Sequence, residues 1–120
     1  MSNFKYFTKD EFACQYTGNN LIEDSLIHKL DLLREACDFP FIISSGYRDP
    51  THPIEAKKTK AGTHSKGIAA DIKVQNGMQR YSIVQHAISL GFNGIGVARN
   101  FIHVDIRNSN SGPTPVMWCY

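Results

Sequence analysis

The chain has 120 residues, enough for one compact domain that buries its own apolar core without disulfide staples. Hydrophobic residues make up 42% and charged residues 20%, the balance of a soluble globular domain, and the net charge of +2 is too small to make nucleic acid or an anionic membrane the main partner. Cys14, Cys37 and Cys119 are odd in number and widely spaced, so they are neither a disulfide framework nor a CxxC metal site; they read as small buried apolar residues in a protein made in a reducing compartment.

"MSNFKYFTKDEF" has no apolar h-region of a secretory signal, and no run approaches the roughly 20 apolar residues of a membrane span. The expectation is a single domain over residues 1–120, monomeric, made in the cytoplasm without a signal peptide. Thr8 and Glu11 in "TKDEF" have the spacing of a capping box at a short helix start. "TGN" (Thr17 to Asn19) is a turn. Asn20 and Glu23 then have capping spacing before the clearest helix, "LIEDSLIHKLDLLREAC", in which Ile22, Leu26, Leu30, Leu33 and Cys37 form a core-facing stripe.

Phe41-Ile42-Ile43 is a short apolar run closed by Ser-Ser-Gly, and reads as a buried strand leading into a loop. Asp49 to Gly62 is polar, with two prolines, and a loop of that length inside a small domain is more often functional than decorative. "GIAADIKV" is a second strand, with Ala70, Ile72 and Val74 on one face and Asp71 and Lys73 on the other. Asn76 and Gln79 open a helix that Gly91 closes. "GFNGIGVAR" leads by a turn into another strand or hairpin. "FIHVDIR" alternates strictly: Ile102, Val104 and Ile106 point one way, and Phe101, His103, Asp105 and Arg107 the other. The tail ends in a short edge strand near Trp118 to Tyr120. The predicted fold is α+β: a small, mostly antiparallel sheet with helices packed on one face.

A half-buried strand usually carries bland polar residues on its wet face. Here that face presents a histidine, an aspartate and an arginine in succession, and the second strand adds Asp71 with His64 at its entrance. If the two strands are neighbours, His64, Asp71 and His103 converge. Two imidazoles and a carboxylate, with a fourth position open, are the ligand set of a catalytic zinc ion. The His-x6-Asp spacing alone is a weak signal, and a solvated face is the alternative for any one of these residues. Gly62 and Gly67 flank His64, while Ala69 and Ala70 leave space around Asp71. Arg48 follows the first strand; it either pairs with Asp49 or Glu55 on the surface or clamps a substrate carboxylate or carbonyl.

"SGYRDP", "THSKGIAADI" and "GIGVARNFIHVDIR" resemble, in order, the three signature segments of the zinc D-alanyl-D-alanine carboxypeptidase family, in the fold group that includes lysostaphin-type peptidases and the N-terminal hedgehog domain. The resemblance spans roughly Cys14 to the C-terminus, and the single-domain size and missing signal peptide resemble the phage-type, endolysin-like and cytoplasmically made members. It implies a hydrolase of peptidoglycan peptides, with His64, Asp71 and His103 binding zinc and Arg48 binding the substrate's carboxylate or the scissile carbonyl oxygen. His52, beside Arg48 in the long loop, is a further substrate-binding candidate. Some relatives place Glu or Asp three residues before the last zinc histidine, where this chain has Asn100. Asp105 is then the nearest ionisable residue, either the general base or the partner that orients His103. The resemblance leaves the bond open: D-Ala-D-Ala, a D-amino-acid cross-link or L-Ala-D-Glu. It implies action at the bacterial cell wall, after release for lysis. The other function class is a non-catalytic zinc module that recognises a wall peptide or a protein partner.

Overall fold

The computed structural model describes residues 3–58 and 62–120. After a short 3₁₀ turn (Lys9–Phe12) come α1 (Asp24–Cys37), β1 (Ile43–Ser45), β2 (Ala69–Lys73), α2 (Gly77–Ser89), β3 (Gly94–Val97), β4 (Phe101–Asp105), a second 3₁₀ turn (Ser109–Ser111) and β5 (Val116–Cys119). One five-stranded sheet has the order β1-β2-β4-β3-β5. All its pairings are antiparallel except β3 with β5. The α+β expectation holds.

Alternation divides the sheet into two chemically distinct faces. Ala70 and Ile72 of β2, Ile95 of β3, and Ile102 and Val104 of β4 share one buried cluster with Leu26, Ile27, Leu30 and Leu33 of α1 and Ile83 and Ala87 of α2. Both helices therefore cover one face, and the apolar stripe of α1 is buried as its spacing predicts. The cap of α2 forms as read: Asn76 Oδ1 accepts from Gln79 N at 2.9 Å, and Gln79 Oε1 accepts from Gln75 N at 2.9 Å. Thr8 N likewise donates to Glu11 Oε2 at 2.6 Å.

Three local expectations shift. Helix α1 starts at Asp24, not after Asn20, and Glu23 at its N-cap makes no side-chain cap bond. The preceding segment is held by another partner, because Glu23 N donates to Gly67 O at 2.8 Å. The first strand is Ile43–Ser45 at the sheet edge; Phe41 is buried before it and Ile42 is 56% exposed. Of the cysteines, only Cys14 is fully buried, and Cys119 is exposed on the edge strand β5.

Candidate metal centre

The second sheet face carries the polar residues. Asp71 of β2 stands directly opposite His103 of β4, and Asp105 stands between Ala69 of β2 and Gly94 of β3. Of the two alanines expected to make space, Ala69 is therefore on this face and Ala70 is in the core. His64 arrives from the turn that enters β2. Gly67, four positions after Thr63, turns the chain there with φ +74°, and a Cβ on it would collide with the Leu21 carbonyl. The reading of Gly67 as a site of close approach is thus realised by the segment before α1.

The three proposed ligands meet. Asp71 Oδ1 lies 3.2 Å from His64 Nε2 and 3.2 Å from His103 Nδ1, and the two nitrogens are 3.2 Å apart. A tetrahedral zinc ion with bonds of about 2.0–2.1 Å holds its ligand atoms roughly 3.3–3.4 Å apart, so the triangle has the size that such an ion needs. All three residues are buried. The remaining ring nitrogens are also fixed. His64 Nδ1 is 2.8 Å from Gly46 O, and His103 Nε2 is 2.7 Å from Asp105 Oδ2. Donation to those oxygens leaves a lone pair on each inward-facing nitrogen, which is how outer partners prepare histidines for a metal.

Asp105 has no solvent exposure, and its oxygens are taken. Arg107 Nε donates to Oδ1 at 2.9 Å, Arg107 Nη2 to Oδ2 at 2.7 Å and the Arg107 amide to Oδ1 at 3.1 Å. Burial alone pushes this carboxyl up, but hydrogen bonds from His103 and Arg107 outweigh it and hold it well below the usual carboxylate range. Asp71 follows the same logic: burial raises it, and the two histidines bring it down to about 2. His103, between two carboxylates, is raised despite the opposing effect of burial, through Asp105 first and Asp71 second.

A cleft of about 540 Å³ opens above the triad. Its lining includes the cations Arg48, Lys58, Lys66 and Arg107 and the aromatic residues Phe101, Trp118 and Tyr120. Arg48 combines features of both readings. It lines the cleft, with Nη2 3.9 Å from Asp71 Oδ2, and it pairs with Glu55 at 3.2 Å. That pair is not a surface pair, since Glu55 is 5% exposed. Burial raises the Glu55 carboxyl, while Lys58, Ser65 and Arg48 hold it at about 2. His52 does not line the cleft; its ring packs against Tyr16, 5.8 Å between centroids, and its Nδ1 accepts from Ile54 N. Thr59, Lys60 and Ala61 of the long loop lie outside the described residues.

The structure adds residues that the sequence did not single out. Trp118 of β5 lies over Gly96 of β3, where a Cβ would meet indole atoms at 2.7 Å. Its ring is 5.0 Å from that of His103, with the Arg107 guanidinium 5.0 Å from the indole. Tyr120 reaches back to Phe101, 5.0 Å between centroids. The one available signal was the small-residue alternation of Gly94 and Gly96 on a strand whose neighbour carries bulky polar groups.

The family model for Peptidase M15 matches residues 5–105. The chain belongs to the M15 peptidase family. Its α+β fold is consistent with an M15 metallopeptidase, and its buried His-Asp-His cluster fits a zinc site. The matched region holds all three cluster residues and ends at Asp105, so the M15 core supplies the triad while Trp118 and Tyr120 lie beyond the match. A search of curated proteins found no significant match. Among the described residues, no helix is long and apolar enough to cross a membrane.

Proposed function

We propose that this M15 metallopeptidase is a zinc enzyme that hydrolyses peptide stems or cross-links of bacterial peptidoglycan, as a D-Ala-D-Ala carboxypeptidase or as an endopeptidase. The observation that carries the reading is the 3.2 Å triangle of His64 Nε2, Asp71 Oδ1 and His103 Nδ1 beneath an open cleft. Zinc held there supplies Lewis-acid polarisation of a carbonyl and lowers the pKa of a water. The chain's own residues do the rest. Arg48 uses two of its five N–H donors on Glu55 and Ser45, and presents its charge to a substrate carboxylate or carbonyl oxygen. Glu55 holds Arg48 at that position. The family's acid/base residue has two candidate roles at Asp105, and its saturated hydrogen bonding favours orienting His103 over moving a proton. Delivery to the wall after synthesis in the cytoplasm, by release at lysis, belongs to the same proposal.

One observation favours a second reading. Asp71 is the only side-chain carboxylate among the described residues that line the cleft, so a non-catalytic zinc module for wall peptides or a protein partner is the competing function. Zinc content and mass-resolved hydrolysis of peptidoglycan fragments separate the two. Stoichiometric zinc with released peptide products supports the enzyme, and full zinc with no product supports the module. In the same assay Asp105→Asn is expected to weaken zinc binding about 10- to 100-fold, the range for outer partners of metal ligands. Lost turnover with unchanged zinc affinity would instead make Asp105 the base.

A further inference from the structure

A second cavity, of about 410 Å³, lies beyond Phe101, and Phe101 lines both it and the cleft over the triad. The strand register explains the continuity. Asp71 faces His103, and Lys73 faces Phe101, so the Lys73–Phe101 pair is the next row on the same sheet face. Rows on one face are about 6.6–7 Å apart, and an extended peptide advances about 3.3–3.5 Å per residue. A substrate strand laid over the triad therefore reaches the second cavity after about two residues.

The lining of this cavity suits a peptide with an acidic group. Pro40, Ile42 and Val74 supply apolar surface, and Ile42 is 56% exposed without a ligand. Gln79 has its carbonyl oxygen engaged by Gln75 N, which leaves its amide N–H groups as donors. Lys73 is exposed, has no ion pair among the described residues, and is the cavity's one charged group. A lining with one cation and no carboxylate favours an anion.

We propose that this cavity is a substrate subsite that takes an extended peptide segment bearing a carboxylate, two to three residues from the bond that is cut. The inference rests on the peptidase reading of the triad. It gives Lys73 a specificity role that neither the metal ligands nor Arg48 fill.

The test uses the full zinc-loaded chain and two series of stem-type peptides, lengthened stepwise at the N-terminal or the C-terminal side. Each outermost residue is made once with a free carboxylate and once as its amide. In one series kcat/KM is expected to rise about tenfold when the carboxylate reaches the second or third position, mainly through KM, as one charge-assisted contact supports. The amide peptides and Lys73→Glu should lack the rise, Lys73→Arg should keep it, and zinc content should be the same in all variants. No length dependence in either series, or a rise that survives Lys73→Glu, overturns the subsite. If the unmodified chain cleaves no peptide, the peptidase reading fails on its own. The subsite is then decided by binding: amide shifts at Lys73 and Gln79 on adding the carboxylate peptides, abolished by Lys73→Glu, support it, and their absence overturns it.

Discussion

Asp71→Ala is expected to strip the centre of its metal and bring hydrolysis to background. The triad has one carboxylate, and without it only two imidazoles remain as ligands in a buried site. Zinc affinity should fall by more than the roughly 100-fold that marks the upper range for outer partners. Chelator competition measures it, and retention of zinc within about tenfold of the unmodified chain would contradict the ligand assignment. The same residues predict a pH dependence. His103 is raised above its ordinary 6.5 because it lies between Asp105 and Asp71, and a metal must displace that proton. Zinc affinity should therefore weaken about tenfold per unit as pH falls below the raised value. For the metal-free protein the signs differ. Asp71, depressed to about 2, stabilises the fold above the ordinary carboxylate range and loses that effect as pH falls toward 2. His103, being raised, stabilises below about 6.5 and loses that effect as pH climbs through its folded value. These two groups together favour the metal-free fold most between about pH 4 and 6.5. Thermal melts with and without chelator check this, and a metal-free optimum at pH 8 would contradict it.

The second large effect is expected from Gly94→Ala, a change of one methyl group. Gly94 faces Asp105 across the β3–β4 pair, and a Cβ there would overlap both carboxylate oxygens. The carboxylate must leave its place, which separates it from His103 and Arg107. An unpaired buried charge costs about 3–5 kcal/mol, so stability should fall by roughly that amount. Zinc affinity should fall about 10- to 100-fold as His103 loses its orienting partner. Gly77→Ala is the comparison, because its Cβ meets only Arg80 Nη1 at 3.8 Å, an ordinary contact. Urea denaturation and zinc competition read both variants. Equal effects for the two would refute the steric argument.

The strands that carry the triad were legible because their alternation is strict. In "FIHVDIR" a one-residue slip would turn His103 and Asp105 into the apolar core beneath the helices and Ile102 and Val104 onto the polar face, so only one facing is tolerable. The stripe of α1 was legible for the same reason at helical period. Its start was not, since the amide of Glu23 bonds to Gly67, 44 positions away, and no local cap encodes that. The apolar run Phe41-Ile42-Ile43 pointed to a strand in the right place but two residues early. The aromatic lining escaped the sequence reading because it depends on β5 lying parallel to β3, with Trp118 paired to Gly96. A parallel pairing leaves no turn signal between its partners. Glu55 was seen only as a surface counter-ion, because its burial comes from the packing of a loop that has no periodic pattern to read.

The bond from Glu23 to the Gly67 carbonyl ties the chain's first quarter to the turn that presents His64. The same turn carries both His64 and the Gly67 carbonyl, so a metal that holds His64 would also restrain the acceptor of Glu23. Any such coupling is reciprocal: a metal that favours seating of the segment before α1 by some factor has its own affinity raised by the same factor when the segment is seated. A substitution near Leu21 or Glu23, far in sequence from any of the three cluster residues, is therefore expected to be felt at the metal centre through that one bond.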